Sequence, residues 1–308
     1  MAAYALRRLL SVVPTLLVAS IVVFVIVFAL PGDPLRAISG TRELPPATRA
    51  ALVARYHLDR SLPQQYAAYM GALVRGDLGT SLTTRRPVRD MITDAAPTTL
   101  ALTGLALVLE VLIGVPLGVA TAARRRRAVN SAVLAATAVL VSIPTFVVAF
   151  LLQYTLGVRW GILPISGTQA GPHALVMPAA ALASVSLAYV TRLTRASVRT
   201  ALSHDHVTLA RAKGLPERTV LFRHALREAS LPVVAFLGID FGALIGGAVI
   251  VEQIFNLNGV GRLVARAVVQ RDNIVIIGVT LVLTVAVVVG NRIVDVLHGV
   301  LDPRIRRD

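Results

Sequence analysis

Six long apolar segments are the feature of this sequence that most restricts its fold. A helix needs about 20 apolar residues to cross about 30 Å of hydrocarbon. Inside a bilayer the backbone polar groups must be satisfied internally, which favours helices. The sequence therefore predicts an all-α polytopic membrane protein with a single transmembrane domain over residues 1–308. The six predicted transmembrane helices are 9–30, 98–123, 132–158, 174–198, 232–255 and 274–300.

Composition and charge exclude several classes of function. The chain has 308 residues, of which 56% are hydrophobic, and its net charge is +15. Its basic residues are dispersed among apolar segments without a nucleic-acid-binding motif, so no nucleic acid is expected as a partner. Because there is no cysteine, disulfides and thiolate chemistry are excluded. Excess positive charge in a membrane protein faces anionic lipid on the cytoplasmic side, so the lipid bilayer is the expected surrounding.

The distribution of arginine predicts the orientation of the chain. Arg7, Arg8, the run ARRRRA at 123–128, the loop 199–231 and the arginines of the C-terminal tail all fall on one side of the predicted spans. The arginine-rich side is expected in the cytoplasm, with both termini. The loop 31–97 is then extracytoplasmic, and its spacing of apolar residues predicts two short amphipathic helices. This loop is either a lid at the membrane surface or a docking surface for a partner.

Acidic and small residues inside the predicted spans are candidate functional positions. Glu110 and Asp240 lie within apolar segments, and Glu252 lies at the expected outer mouth. Ionisable residues at membrane depth are costly, so they form interhelical hydrogen bonds or line a solute path. Gly242 and Gly246 belong to a face of small residues, which either packs within the bundle or contacts another membrane subunit. The candidate translocation-path or interface residues are Glu110, Asp240, Gly242, Gly246 and Glu252.

The basic stretch DHVTLARAKGLPERTVLFRHALREASLPV at 205–233 predicts an elbow of two short helices. Asp205 is placed to cap the first helix, and Gly214 fits the position just after its end. Pro216 fits the first turn of a second helix, with Glu217 near its positive end. The second helix leads through Leu231-Pro232 into the fifth span. A basic helix lying on anionic lipid is the alternative interpretation.

The sequence predicts neither an ATPase site nor an enzyme. A phosphate-binding P-loop needs Gly-Lys-Ser/Thr, but Lys213, the one lysine, is followed by Gly214. There is no His-Glu-x-x-His motif and no cysteine nucleophile. A secondary transporter working alone is the main alternative, and it would need an ion relay and usually a symmetry-related second half. Scattered acids and the lack of an internal repeat disfavour it.

Several stretches resemble one family of transporters. Ala210-x-x-x-Gly214 followed by Leu231-Pro232 resembles the cytoplasmic "EAA" loop of the membrane (permease) subunits of ABC importers. Thr208-Leu209 stand in place of Glu-Ala, and the interval from Gly to Pro is long, as in the dipeptide/oligopeptide branch. Four further stretches resemble the B-type permease subunit of that branch: LPGDP (30–34), YHLDRSLPQQYAAYMGALVRGDLGTSL (56–82), GGAVIVEQIFNLNGVGRL (246–263) and DPRIR (302–306).

The resemblance implies a function and a set of partners. It implies a type I ABC importer permease fold in the bacterial cytoplasmic membrane, paired with a homologous second permease. Two ABC ATPase subunits would bind ATP and Mg, so this chain would hold no cofactor or metal. An extracytoplasmic solute-binding protein would deliver di- or oligopeptides, with nickel, haem or glutathione-like solutes as alternatives. The ATPase-coupling residues implied by the loop are Asp205, Ala210, Arg211, Lys213, Gly214, Leu215, Pro216 and Glu217.

Overall fold

The computed structural model describes residues 12–29, 45–55, 60–123 and 127–301. Within these ranges the chain contains no β-strand, only an isolated bridge between Thr80 and Pro87. The helices, numbered here in chain order, are α1 (Val12–Ala29), α2 (Pro46–Arg55), α3 (Leu62–Val74), α4 (Val88–Ala123), α5 (Arg127–Ser142), α6 (Thr145–Leu152), α7 (Pro172–Leu202), α8 (Asp205–Ala212), α9 (Glu217–Ile254), α10 (Val260–Gln270) and α11 (Asn273–Leu301).

The length and composition of the helices bear out a polytopic membrane protein. Four helices, α4, α7, α9 and the Asn273–Arg292 part of α11, are long and apolar enough to cross a bilayer. The helices Ala128–Ser142 and Thr145–Arg159, which are bent by 103° where they meet, pass the same test as a pair and count as a fifth span if they cross the bilayer together. The described part of α1 lies within the predicted first span and is apolar but shorter. Six spans therefore remain a prediction compatible with these helices.

Several predicted features lie outside the described residues. These are the N-terminal Arg7 and Arg8, the LPGDP turn, the first three arginines of ARRRRA, part of the 56–82 stretch and the DPRIR tail. The predicted start of the second span at residue 98 differs from the structure, in which α4 already begins at Val88. Its first ten residues include Arg89, Asp90 and Asp94, and Pro97 lies inside the helix. Polar residues and proline hid this part from a search for apolar runs.

Proline lies beside two departures from straight helices. The bend between α5 and α6 falls at Pro144, which precedes Thr145 and cannot donate a backbone hydrogen bond. In α4 a π turn at Glu110–Gly114 comes immediately before Pro116, and widened turns of this kind relieve a break in the hydrogen-bond ladder. Pro178 lies in the first turns of α7, where the missing N–H costs little.

One compact unit contains Met1–Thr99 and Asn258–Val288. Its core joins the start of α4, α10 and α11 through Val88, Ile92, Val260, Val275 and Val279 among other residues. A second cluster packs Tyr66, Tyr69 and Leu73 of α3 around Phe24, Ile277 and Leu281. The two amphipathic helices predicted in the loop 31–97 are thus present as α2 and α3. Gly76 follows α3 with a φ of 80°, a left-handed conformation that glycine adopts without strain.

A buried carboxylate holds the loop after α3 in this unit. Asp272 is 1% exposed and directly precedes α11. Its Oδ2 accepts hydrogen bonds from Ser81 Oγ at 2.7 Å and from the backbone N–H of Thr83 at 3.1 Å. Its Oδ1 accepts the Val275 N–H at 3.3 Å. Asp272 therefore caps α11 and fixes the turn 81–84 at the same time.

The other compact unit contains Leu100–Leu257 and Val289–Asp308. The helix α7 lies at its centre, and small buried residues of α7, among them Ala179, Ala181 and Ala183, let neighbouring helices approach closely. At Gly118 of α4 an added Cβ would lie 2.5 Å from the Cβ of Thr194, so only glycine allows this crossing. The core of the unit includes Leu102, Met177, Leu182, Leu244 and Phe255. Helices α8 and α9 complete this unit.

Candidate functional site

The basic elbow is built from the end of α7, the helix α8 and the start of α9. The helix α8 ends at Ala212, and the two N–H groups after Lys213 return to its last turn: Gly214 N donates to Arg211 O at 2.9 Å, and Leu215 N donates to Ala210 O at 3.3 Å. Gly214 has a φ of 77°, as the left-handed end of a Schellman motif requires. The predicted position of Gly214, just after the end of this helix, is confirmed.

An ion pair closes the elbow across the Gly214–Pro216 break. Arg211 Nε donates to Glu217 Oε1 at 2.7 Å, and Arg211 Nη2 donates to Glu217 Oε2 at 3.4 Å. The hydrogen bond to Glu217 raises the pKa of Arg211 above its usual value, so the guanidinium keeps its charge. A third bond runs from Arg211 Nη1 to the carbonyl of Leu202 at 3.4 Å. One arginine therefore links α7, α8 and α9.

Beneath this ion pair the elbow has a small apolar core of its own. Val207 and Val220 are fully buried, Ala210 is 5% exposed, and Leu202 packs against them. Beside it lies an open groove of about 760 Å³. The groove is lined by Ala123, Leu202, Arg211, Glu217, Arg218, Leu221 and Phe222. Because the core and the ion pair fix the backbone on both sides of the break, the elbow is rigid and presents a mixed polar and apolar surface.

Two details of the predicted elbow are wrong. The N-terminal cap of α8 is His204, which has extended φ and ψ of −74° and 149° and makes no side-chain capping hydrogen bond; Asp205 is the first residue of the helix. An acidic residue in the first turn still interacts favourably with the helix dipole. The second helix is also not separate from the fifth span. It continues from Glu217 through a π turn at Val220–Ala225 into α9, with Pro232 inside the helix.

The candidate coupling residues divide into an exposed set and a buried residue. Seven of them are exposed: Asp205, Arg211, Lys213, Gly214, Leu215, Pro216 and Glu217. Ala210 is buried under them, so it supports the elbow from within. The sequence did not single out Phe222, whose side chain is 55% exposed on the elbow. An apolar residue at a polar corner is a signal that could have found it.

Within the transmembrane part, the structure brings two of the five candidate residues together. Glu110, in the π turn of α4, is fully buried, and Asp240 of α9 is 7% exposed. Their carboxyl groups interact, and Ser186 of α7 donates a hydrogen bond from Oγ to Asp240 Oδ1 at 2.8 Å. Among the described residues, the two oxygens of Glu110 and Oδ2 of Asp240 have no hydrogen-bond partner. This polar cluster links three helices.

The other three candidates lie elsewhere on α9. Glu252 is fully buried but lies twelve residues beyond Asp240, about 18 Å along the helix. Gly242 is half-buried and Gly246 is exposed, with no described atom within 4 Å of an added Cβ at Gly246. Gly246 belongs to an exposed stripe at helical spacing, which the small-residue pattern did not reveal. The stripe consists of Ile239, Ala243, Gly246, Ile250 and Gln253.

A second group of residues was missed by the sequence analysis. His204 Nδ1 lies 3.0 Å from Glu228 Oε1, and His206 Nε2 lies 3.6 Å from Glu228 Oε2. The spacing His-x-His at 204–206 is a signal in the sequence, since such pairs are frequent metal ligands. The carboxylate, by contrast, comes from the next helix and could be found only from the structure.

Two family models of membrane transport components match this chain. Residues 114–307 match the model described as binding-protein-dependent transport system inner membrane component. Residues 1–103 match the N-terminal model of binding-protein-dependent transport system membrane components. The elbow and the polar cluster therefore lie within regions that the two family models cover, apart from Glu110.

Curated relatives match over nearly the whole length. The oligopeptide transport system permease protein AppB of Bacillus subtilis (strain 168) is 37% identical over 315 residues, covering 99% of each chain. The glutathione transport system permease protein GsiC of Escherichia coli (strain K12) is 37% identical over 307 residues, covering 98% of each chain.

Solved structures confirm the fold. A chain of the MetNI methionine ABC transporter, in inward-facing conformations, aligns with a TM-score of 0.58 at 18% identity. It covers 69% of this chain and 96% of that one. A chain of an amino acid ABC transporter, in a crystal structure with histidines, aligns with a TM-score of 0.56 at 20% identity, over 68% and 94% of the two chains. Taken with the family models and the full-length relatives, these matches establish that the chain belongs to the family of binding-protein-dependent transport system inner membrane components.

Proposed function

We propose that this chain is one of two permeases that enclose the pathway of an ATP-driven peptide importer. Its family membership makes it a multi-pass protein of the bacterial inner membrane without an ATPase site of its own. In the proposed complex, two partner ATPase subunits bind ATP and Mg, a homologous second permease completes the pathway, and an extracytoplasmic binding protein delivers the solute. The whole chain acts as one transmembrane domain.

The choice of peptides as the solute follows from the relatives. One is named for oligopeptides and the other for glutathione, itself a small peptide, and both are equally similar to this chain at 37% identity. The proposal therefore covers short peptides, and a glutathione-like solute is the second candidate. Nickel and haem are the further alternatives.

The rigid elbow is the observation that carries the proposed coupling role. A slack loop would absorb a displacement of its tip, whereas this corner is held by the Schellman motif, the Arg211–Glu217 pair and the Val207–Val220 core. Its exposed tip, Lys213–Pro216, is free to contact another protein. Its base continues without a break into α9. We infer that the tip fits a cleft on the ATPase subunit and that α9 carries its motion into the membrane.

The proposed cycle needs only a modest energetic bias. ATP binding closes the ATPase pair and draws the elbows of the two permeases together, which favours the outward-facing state. The docked binding protein then releases its solute into the cavity, and ATP hydrolysis restores the inward-facing state. A conformational equilibrium is shifted from about 1:99 to 99:1 by a difference of roughly 5.5 kcal/mol in binding to the two states.

The polar and small residues of α9 fit two separate roles. Glu110, Asp240 and Ser186 link α4, α7 and α9 inside one unit, so we assign them to interhelical support of the pathway wall. Glu252 is equally buried and is assigned to the same support near the outer end of α9. Gly246 lies on the exposed stripe and is assigned, with the neighbouring half-buried Gly242, to the contact with the second permease.

The coupling role is tested by the substitution Gly214→Val. An added Cβ at Gly214 meets no described atom within 4 Å, so the change acts only through its φ of 77°, which a β-branched residue rarely adopts. We expect the variant to enter the membrane and assemble with its partners but to distort the elbow tip. In proteoliposomes with the ATPase subunits and the binding protein, the amount of solute imported per ATP hydrolysed should fall severalfold.

Gly161→Val is the matched control. Gly161 has a φ of 62° and equally open surroundings, but it lies far from the elbow in the sequence. Normal coupling in Gly214→Val would refute the role of the elbow, and an equal loss in both variants would assign the effect to strain in general. Short peptides, reduced glutathione, Ni²⁺ and haem serve as parallel solutes in this assay, and import of Ni²⁺ or haem alone would overturn the peptide assignment.

A further inference from the structure

Two histidines and a glutamate converge beside the elbow. His204 comes from the turn between α7 and α8, His206 from the first turn of α8, and Glu228 from α9. One ligand atom from each residue can be chosen so that all three lie within 4.8 Å of one another. The side chains are 41%, 51% and 43% exposed, so solvent reaches the cluster.

The distances fit a shared metal ion as well as they fit ion pairs. Around a tetrahedral ion with bonds of about 2.0–2.2 Å, neighbouring ligand atoms lie about 3.3–3.6 Å apart. From Glu228 Oε2 the observed separations are 3.1 Å to His204 Nδ1 and 3.6 Å to His206 Nε2. Only small rotations of half-exposed side chains would bring all three atoms to a common centre. An ion pair needs one histidine, whereas here both imidazoles face the same carboxylate.

The backbone holds the two histidines in place. The carbonyl of His204 accepts the N–H groups of Val207 at 3.0 Å and Thr208 at 3.2 Å, which fixes the turn that begins α8. The two imidazole rings are 5.8 Å apart and meet edge to face. Two histidines and one carboxylate are a ligand set that zinc accepts, with a fourth position left to water. Asp205, exposed between the two histidines, adds negative charge nearby.

We propose that His204, His206 and Glu228 form a binding site for a divalent first-row transition metal, for which Zn²⁺ is the probe. The metal would bind His204 Nδ1, His206 Nε2 and a Glu228 carboxylate oxygen, so the protons of the neutral imidazoles would lie on His204 Nε2 and His206 Nδ1. Glu228 lies on α9 and His206 lies on α8. The ion would therefore join the two arms of the elbow by metal–ligand bonds, in addition to the ion pairs that already link them.

The test measures binding of Zn²⁺ to the assembled transport complex, purified through a tag without histidine. Wild type is compared with His206→Ala and Glu228→Gln, each of which removes one ligand. His173→Ala is the matched control, because His173 is an exposed histidine outside the cluster. Equilibrium dialysis gives the number of ions bound and their affinity. Size-exclusion chromatography verifies that each variant is assembled.

Wild type and His173→Ala are expected to bind one Zn²⁺ per copy of this chain more than the two ligand variants bind. Where residual binding is measurable, its affinity should be weaker by at least about tenfold, since even second-shell changes weaken metal binding by about 10- to 100-fold. Equal binding by all four proteins, or none by wild type, would overturn the proposal and leave the cluster as an ion pair only. This outcome is independent of transport, so the proposed importer function stands or fails separately.

Discussion

Single side chains in this protein fix segments that are far apart in the sequence. Asp272 bonds to Ser81, which lies 191 positions earlier. The same carboxylate accepts the N–H of Thr83 and caps α11 through Val275. When a buried carboxylate that accepts several hydrogen bonds is removed, its donors are left buried without a partner. Each unsatisfied donor destabilises the protein by more than the hydrogen bond contributed to stability.

We therefore expect Asp272→Ala to destabilise the protein by about 2–4 kcal/mol, from the lost cap and the unsatisfied donors. Asp272→Asn should lose less, because its amide oxygen still accepts. Asp94→Ala is the surface control: Asp94 pairs with Arg86 at 2.7 Å with both side chains more than half exposed, so its loss should stay below about 1 kcal/mol. Thermal unfolding in detergent would contradict this if Asp94→Ala lowered Tm as much as Asp272→Ala.

At the residue scale, local backbone conformations could be predicted from the sequence, whereas contacts between distant segments could not. The role of Gly214 followed from its place after an α-helical pattern and before Pro216, and its φ of 77° bears this out. The cap of α8 was misplaced by one residue, because Asp is a better side-chain cap than His and nothing in the sequence shows that His204 takes the extended conformation. The convergence of Glu228 on two histidines needs the path of α9.

At the scale of elements, the helix α3 is held by an aromatic face. Tyr66 shares a hydrogen bond of 2.8 Å with Ser20 and meets Phe24 edge to face at 5.3 Å. Tyr69 packs near the same ring, at 6.4 Å. Burial, with a smaller contribution from the charge of Asp77, raises the pKa of Tyr69 to about 12. Its hydroxyl has no hydrogen-bond partner among the described residues.

This pKa predicts how the stability of the protein changes at high pH. In the unfolded chain Tyr69 ionises near pH 10, whereas in the folded protein it stays neutral until about pH 12. Stability is therefore complete below pH 10 and falls as the pH rises from 10 to 12. The free energy of unfolding of wild type, measured relative to that of Tyr69→Phe, should therefore fall by about 1 kcal/mol between pH 8 and pH 11.

The measurement is thermal unfolding of both proteins from pH 8 to 11. Tyr154→Phe, which changes a side chain that is 59% exposed, serves as the control. A difference between wild type and Tyr69→Phe that does not vary with pH would show that the Tyr69 hydroxyl is solvated.

The existence of each helix was easier to predict than its limits. Periodic apolar residues predicted α3, and the residues that pack inward, Tyr66, Tyr69 and Leu73, are those of the predicted face. The start of α4 at Val88 was missed because charged residues and Pro97 interrupt the apolar run. The bend between α5 and α6 falls at Pro144, but its angle of 103° could not be predicted from one residue.

At the scale of the whole molecule, the exposed stripe of α9 bears on how this chain assembles with a second membrane subunit. A stripe of small and apolar residues such as Ala243, Gly246 and Ile250 contacts either lipid or another helix. The second reading is the one we propose, with the second permease as the neighbour. Because the natural chain has no cysteine, a single introduced thiol reports on one position without interference.

We expect Gly246→Cys to form a disulfide with a cysteine introduced on the fifth span of the second permease, when the assembled complex is oxidised in the membrane. The added side chain meets no described atom within 4 Å, so the fold should be preserved. Val139→Cys is the control, since Val139 is 60% exposed on a different helix, α5. Cross-linking at Val139 but not at Gly246, seen by gel electrophoresis without reductant, would place the interface on α5.

The continuation of α9 from the elbow to Ile254 would give the proposed coupling element a mechanical advantage. The helix has 38 residues from Glu217 to Ile254, which at helical rise is about 57 Å. If it pivots as a rod, a tilt of about 5° at the elbow displaces the opposite end by about 5 Å. That is about the diameter of an amino-acid side chain, so a stroke too small to rearrange the elbow could open or shut the far end of the passage.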